Sequence, residues 1–437
     1  MWFHSSPSFF AKKLHQLTGI TKFSQTSFTA MARSNAKIIL LSLYPFEKGF
    51  FNNSNIPSQI TAMLGNWGIE IGYRRIRHLQ KHTDYFQDLQ NEYQYVLNSE
   101  KNQLIDTKKY CWQLTADWQE VEAASNKENT IAVIITIEGA HVFNCGLGDF
   151  GVEPDEIEIL KNIDVVKKWE FPPLFIGLGH NFNNDLCGHA RSLQRLGKMV
   201  NQSKNLENGL SALGIKVIDV LLSNSNGRTI LIDLKHMSLL ARLEYMQLLK
   251  TKYAERQIPI IVSHGSVTGL SLNGQSINNA CLDIFNRESI NFYDEEIIAI
   301  TKSGGLFGLQ MDIGIHADIK KLKNNMPLVA KETALIRSAG IIWNQLQHIA
   351  VLLDSNGLFS WGSTAVGSDF DGSINPFPGI LTAESFAPLA EELIVLAGNF
   401  LEKKTLSLPV NIQITAEEII GLFLYDNLHR FLKNNYA

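Results

Sequence analysis

Five short apolar runs in this chain stop on residues that can bind metal or move protons. "IAVIITIEG", from Ile131, runs into Glu138, "LFIGLGH", from Leu174, into His180, and "TILIDLKH", from Thr229, into His236. "IPIIVSH", from Ile258, ends on His264, and "TAVGSD", from Thr364, ends on Asp369. Glu138, His236 and His264 together make a carboxylate and two imidazoles, a donor set suited to a borderline divalent ion such as zinc, with a coordination position left for water. An ion so held brings the pKa of its water down to about 7. Asp369 then has the chemistry to take that water's proton and pass it to a leaving group. Its neighbour Asp371, in "GSDFDG", reads as a brace for the turn, and the flanking glycines let the chain bend sharply. His141 and His189 lie close in sequence to these residues and read as orienting partners or, more simply, as packing. His15, His78, His82, His316, His348 and His429 have no ordered place in this scheme and read as surface or core residues.

These side chains can meet only if the runs are neighbouring strands. The runs are apolar on both faces, as buried parallel strands are. "AKIILLSLY" from Ala36 and "GLFGLQMD" from Gly305 add two more, and "MWFH" at the start makes eight. Helical patterns lie between them, such as Asp294–Gly304 and Ala330–Gly357, the latter closed by its glycine. Eight strands alternating with helices predict an α/β fold, a (β/α)8 TIM barrel of the metal-dependent hydrolase type, as one domain over residues 1–437. In such a barrel the catalytic groups stand at the C-terminal ends of the strands. Residues 56–127 are too many for one crossover and predict a helical insertion after the second strand, covering one end of the barrel.

Composition narrows the function classes. The chain is 45% hydrophobic, enough for a large core, and 39 basic against 43 acidic residues give a net charge of −4. With no long run of either sign, nucleic-acid and membrane-surface partners are not expected, and a small-molecule substrate is. No window of about 18 uninterrupted apolar residues predicts a membrane span. Four cysteines with no CxxC pair argue against a disulfide framework or a zinc knuckle. Together with an N-terminus unlike a secretory signal, they predict a cytoplasmic location. A homodimer is the default expectation for a large enzyme.

The segments "TIEGAH", "GLGHNFNNDLCGHA", "LIDLKHMS", "IIVSH", "INFYDEEIIAITKSGGLFGL" and "VGSDFDG" follow one another between about Ile131 and Pro378. In that order they resemble the renal or membrane dipeptidase family of metal-dependent hydrolases, within the amidohydrolase superfamily. The resemblance implies that Glu138 bridges two zinc ions, that His236 and His264 bind one of them, and that Asp369 manages the proton of the nucleophilic water. It also implies that His180 hydrogen-bonds the substrate or the developing oxyanion, and that the reaction is hydrolysis of a dipeptide's amide bond. Two positions depart from the family. Its first-strand metal motif is matched only by "FHSSP", where His4 stands for the first ligand and Ser6 takes the second ligand's place. A serine hydroxyl is a poor zinc ligand, so the expectation is one or two ions. The arginine that many members carry before the asparagine of "INFYDEE" is Ile290 here, with Arg287 three residues earlier as its nearest substitute. The reading is therefore a hydrolase that uses a zinc-activated water to cleave a dipeptide or similar small acyl-amino compound. Its alternatives are a catalytically impaired homologue that binds a ligand or protein, and a hydrolase of lactones or cyclic amides.

Overall fold

The computed structural model describes the chain except residues 3–6, 19–20, 53–55, 70, 194–196, 198–199, 278–284, 318–330, 373 and 437. Its spine is one nine-stranded sheet. The strands are β1 (Ile38–Leu43), β2 (Asn102–Ile105), β3 (Lys108–Leu114), β4 (Thr130–Ile137) and β5 (Phe175–Gly177). They continue with β6 (Leu231–Asp233), β7 (Ile261–Gly265), β8 (Leu306–Leu309) and β9 (Thr364–Val366). Among these strands the β2–β3 hairpin pairs antiparallel, while β1 with β4 and every step from β3 to β9 are parallel.

The sequence of β4, TIAVIITI, is buried along its whole length, as β-branched strands covered on both faces are. One of its edges carries β1, from Ile38 opposite Ala132 to Leu43 opposite Ile137. The other edge is shared: β3 pairs with Thr130–Val133, and β5 pairs at Ile137.

Helices alternate with these strands. Before β1 come α1 (Phe9–Thr18) and α2 (Phe28–Arg33). Between β1 and β2 lie α3 (Ser58–Ile69), α4 (Tyr73–Leu79) and α5 (Tyr85–Asn98), and α6 (Trp118–Ser125) precedes β4. Single helices then follow β4 to β7 in turn: α7 (Glu156–Lys167), α8 (Ala212–Leu222), α9 (Leu239–Thr251) and α10 (Asp294–Lys302). Between β8 and β9 run α11 (Ile313–His316) and α12 (Lys331–Ser355), and α13 (Phe386–Glu402) follows β9. Side-chain caps fix several starts. Asp84 accepts from Gln87 N before α5, Ser211 from Gly214 N before α8, and Ser238 from Ala241 N before α9.

This is the mixed α/β fold of the (β/α)8 type that the alternation of runs predicts. Among the described residues no pairing joins β9 to β1. Of the expected first strand, "MWFH", Met1 and Trp2 are described and form no strand, so the first strand observed is β1, while His4 and Ser6 lie outside the described residues. The segment after β1 is mostly helical, as expected, but it also holds the β2–β3 hairpin. The hairpin turns at Asp106 and Thr107, both with positive φ, and its strands leave most of their residues exposed or half-buried while burying Ile105, Trp112 and Leu114. That polar surface made the stretch look like a solvated helix. A small apolar cluster of Phe51, Ala62, Ile76 and Leu79 sits under α3 and α4, apart from the main core. No helix among the described residues is long and apolar enough to cross a membrane.

Candidate metal centre

All five strand-end residues emerge on one side of the sheet, at the C-terminal ends of parallel strands. Glu138 directly follows β4 and donates its backbone N–H to the Leu43 carbonyl of β1 at 3.0 Å. The next residue, Gly139, has φ +89, and a Cβ there would stand 2.4 Å from His141 Nδ1 and 3.0 Å from the His180 Cβ. Only glycine lets β4 turn beside His180. His180, His236 and Asp369 each stand three residues past their strand, and His264 lies within β7. His236 and Asp369 have φ of +66 and +54. Such left-handed backbone costs a non-glycine residue about 1–2 kcal/mol and persists where surrounding contacts hold it. For His236 those contacts include Ala190 N, which donates to its carbonyl at 2.8 Å, and the capped start of α9 two residues on.

The side chains converge on Glu138. Its Oε1 lies 3.4 Å from His180 Nε2, 3.5 Å from His236 Nε2 and 3.6 Å from His264 Nε2. Asp369 Oδ2 closes the group at 3.8 Å from His264 Nε2. The five side chains are only 7–20% exposed, so bulk water screens them little. Most of these separations are long for hydrogen bonds. They suit donors sharing one ion, because ligands about 2.0–2.2 Å from a tetrahedral centre stand roughly 3.3–3.6 Å apart. His264 Nε2 is buried and has no hydrogen-bond partner among the described residues, which leaves its lone pair for an ion. Glu138, His236 and His264 offer donor atoms that all lie within 4.8 Å of one another. The residues present fit a divalent metal.

Protonation follows the same division. Burial, then the charge of His180, pushes His236 down to about 3, and burial with the nearby Lys235 holds His264 well below the usual imidazole range. Both rings are therefore neutral, as metal ligands must be. Burial opposes ionisation of Glu138, but hydrogen bonds and charge from the surrounding imidazoles outweigh it and keep the carboxylate ionised. Asp369 goes the other way, raised by burial and then by the Glu138 charge. Burial would also lower His180, yet the carboxylates of Glu47 and Glu138 lift it to about 10.

The residues that orient this group were not evident from spacing. Glu47, in the loop after β1, accepts from His180 Nδ1 at 2.5 Å through Oε2 and from Phe182 N at 3.1 Å through Oε1. That aims His180 Nε2 at the centre. Asp233 accepts from Ser263 N at 2.8 Å and Ser263 Oγ at 2.5 Å, and Ser263 Oγ meets His264 Nδ1 at 2.8 Å. This arrangement fixes the ring of His264. Past β8, Gln310 accepts from Lys235 Nζ at 3.1 Å and donates to Asp369 Oδ2 at 2.7 Å. Asp371 braces its turn as expected, accepting from Gln25 N and Thr26 N, each at 2.9 Å. Gly372 completes the "DFDG" motif, since a Cβ there would stand 2.2 Å from Asp369 Oδ1. His141 bonds the Pro45 carbonyl, and His189 those of Ala190 and Lys204, so both are packing residues.

The Glu47–His180 pair carries a pH signature in metal-free protein. His180 is raised, so its contribution to stability is full below the ordinary 6.5 and is lost as pH climbs through about 10. Glu47 is lowered to about 2, with burial opposing and His180 outweighing it, so its contribution is full above the ordinary 4.5 and is lost as pH falls toward about 2. The stability difference between wild type and Glu47→Gln is therefore expected to peak between pH 4.5 and 6.5 in denaturant titrations. A difference that does not vary with pH would contradict the pairing.

The comparisons with known proteins bear on this geometry. The model of the membrane dipeptidase family, peptidase family M19, matches residues 90–399. The chain belongs to that family. No curated protein sequence matches it. Among solved structures, a dipeptidase AC of family M19, described as a metallo peptidase, is 12% identical with a TM-score of 0.51, covering 97% of this chain and 94% of its own. The probable dipeptidase PvdM from Pseudomonas aeruginosa is 16% identical with a TM-score of 0.52, covering 94% of this chain and 88% of its own. At these identities the likeness is one of fold. Membership in the membrane dipeptidase family and the donor set agree on metal-dependent hydrolysis.

The arginine that the resemblance leads one to expect before Asn291 is absent. Ile290 is buried, and Arg287 is exposed. The buried Arg242 is spent on structure: its five N–H groups go to both oxygens of Glu296 and to the carbonyls of Met237, Ser289 and Asn291.

Proposed function

We propose that this chain is a zinc-dependent hydrolase that cleaves the amide bond of a dipeptide or a similar small acyl-amino compound. The observation that carries the reading is Glu138 Oε1 standing 3.4–3.6 Å from three imidazole nitrogens, with Asp369 beside the third. Glu138, His236 and His264 would hold the ion, which when bound supplies Lewis acidity and makes water a nucleophile near neutral pH. Asp369, buried and fixed by Gln310, takes the water's proton and returns it to the leaving amine. His180, kept protonated by Glu47, keeps its Nε2–H and aims it toward the centre, where it would hydrogen-bond the carbonyl oxygen as negative charge builds there. Lys235 and Gln310 keep the Asp369 carboxyl in one orientation.

The test is a panel of dipeptides, dipeptide amides and N-acyl amino acids, assayed after chelation and then with added zinc, cobalt or manganese. Metal-dependent turnover of at least one class is expected, and His236→Asn should abolish it. With Arg242 engaged and Ile290 buried, amidation of the dipeptide's C-terminus is expected to change KM little. Metal-loaded protein that turns over no member of the panel would instead favour a barrel that only binds its ligand.

A further inference from the structure

A second group of metal-binding side chains lies outside this centre, at the corner between α4 and α5. His78 is on α4, and His82 follows one turn later, its N–H donating to the His78 carbonyl at 2.9 Å. Their rings lie 4.8 Å apart at an interplanar angle of 26°, so the two imidazoles are stacked face to face. Asp88, in the first turn of α5, is only 2% exposed. Its Oδ1 takes a hydrogen bond from Arg75 at 3.1 Å, while its Oδ2, 4.0 Å from His82 Nε2, has no hydrogen-bond partner among the described residues. One donor atom from each of the three residues lies within 4.8 Å of the others.

We propose that His78, His82 and Asp88 form a second divalent-metal site for a borderline ion of the zinc class. The chemistry favours this over a plain ion pair. Arg75 already answers one oxygen of Asp88, and leaving the other buried without a partner costs about 1–3 kcal/mol. Two neutral imidazoles with one carboxylate are a zinc donor set, and the exposure of His78 leaves a fourth position open to water. Loading replaces the present contact of His82 Nε2 with the Asp84 carbonyl at 2.8 Å. One turn along α5, Glu92 is pushed up to about 7, by burial first and with the Asp88 charge contributing, so a cation at Asp88 relieves that repulsion.

The site's place gives it a structural role. Lys48 Nζ donates to the carbonyls of Gln80 and His82, at 3.0 and 2.8 Å, and Lys48 follows directly on Glu47. An ion at the corner would join α4 to α5, and the Lys48 hydrogen bonds link that same corner to the loop that aims His180.

The test counts zinc and needs no substrate. Elemental analysis after zinc dialysis, together with zinc-dependent melting, compares wild type, His236→Asn/His264→Asn, His78→Asn/His82→Asn and the quadruple variant, with far-UV circular dichroism to establish folding. The central-site double variant is expected to keep about one zinc and to melt higher with zinc present, and the quadruple variant to lose both. Asp88→Asn should weaken the corner site at least about tenfold. The proposal is overturned if the central-site variant binds no zinc below millimolar concentration, or if the quadruple variant keeps the same zinc-dependent melting shift.

Discussion

Asp369→Asn is expected to lower kcat by about 10²–10⁴ while leaving metal content and KM near wild type. Asparagine tolerates the left-handed φ of +54 and can turn its oxygen toward Gln310 Nε2, so the turn and its brace at Asp371 survive. What is lost is a group that can take up and release a proton beside His264. Steady-state kinetics on the best substrate of the panel, with metal analysis on the same samples, reads the outcome. An unchanged kcat would remove Asp369 from proton transfer. A loss of metal in step with activity would make it a ligand instead.

The largest effect on stability is expected at Arg242. Replacing it with alanine leaves Glu296 as a fully buried, uncompensated carboxylate and strips donors from three carbonyls, a change of the kind that costs about 3–5 kcal/mol. Glu296 also closes the N-terminus of α10 by accepting from Tyr293 N, so that helix start loosens with it. Urea denaturation should show the midpoint falling sharply. Arg242→Met combined with Glu296→Leu should recover part of the loss, because removing both charges is far less costly than removing one. A single variant as stable as wild type would mean that the pair contributes no compensation.

The centre was legible because each strand that builds it is a short, mostly apolar run, with a residue that can bind metal or move a proton at or just past its end. That signal picked out Glu138, His180, His236, His264 and Asp369, and the fold brings all five together. Glu47 and Gln310 also follow apolar runs. Glu47 follows "SLYPF" after β1, where only a histidine would have drawn notice, and Gln310 looks inert until its two neighbours are known. The Arg242–Glu296 pair spans 54 positions, and no local pattern joins them. His78 and His82 looked like surface residues because Asp88, their partner, belongs to a separate helix. The β2–β3 hairpin was hidden because Trp112 and Leu114 are its main buried side chains beyond the turn, too few to set a visible alternation.

The central claim is that Glu138, His236 and His264 hold a catalytic ion. An anomalous difference map at the zinc edge, from crystals grown with zinc, tests it most directly. The account predicts a peak about 2.0–2.2 Å from a Glu138 oxygen and from Nε2 of His236 and His264. Zinc-dependent turnover with no peak among these three residues would contradict it.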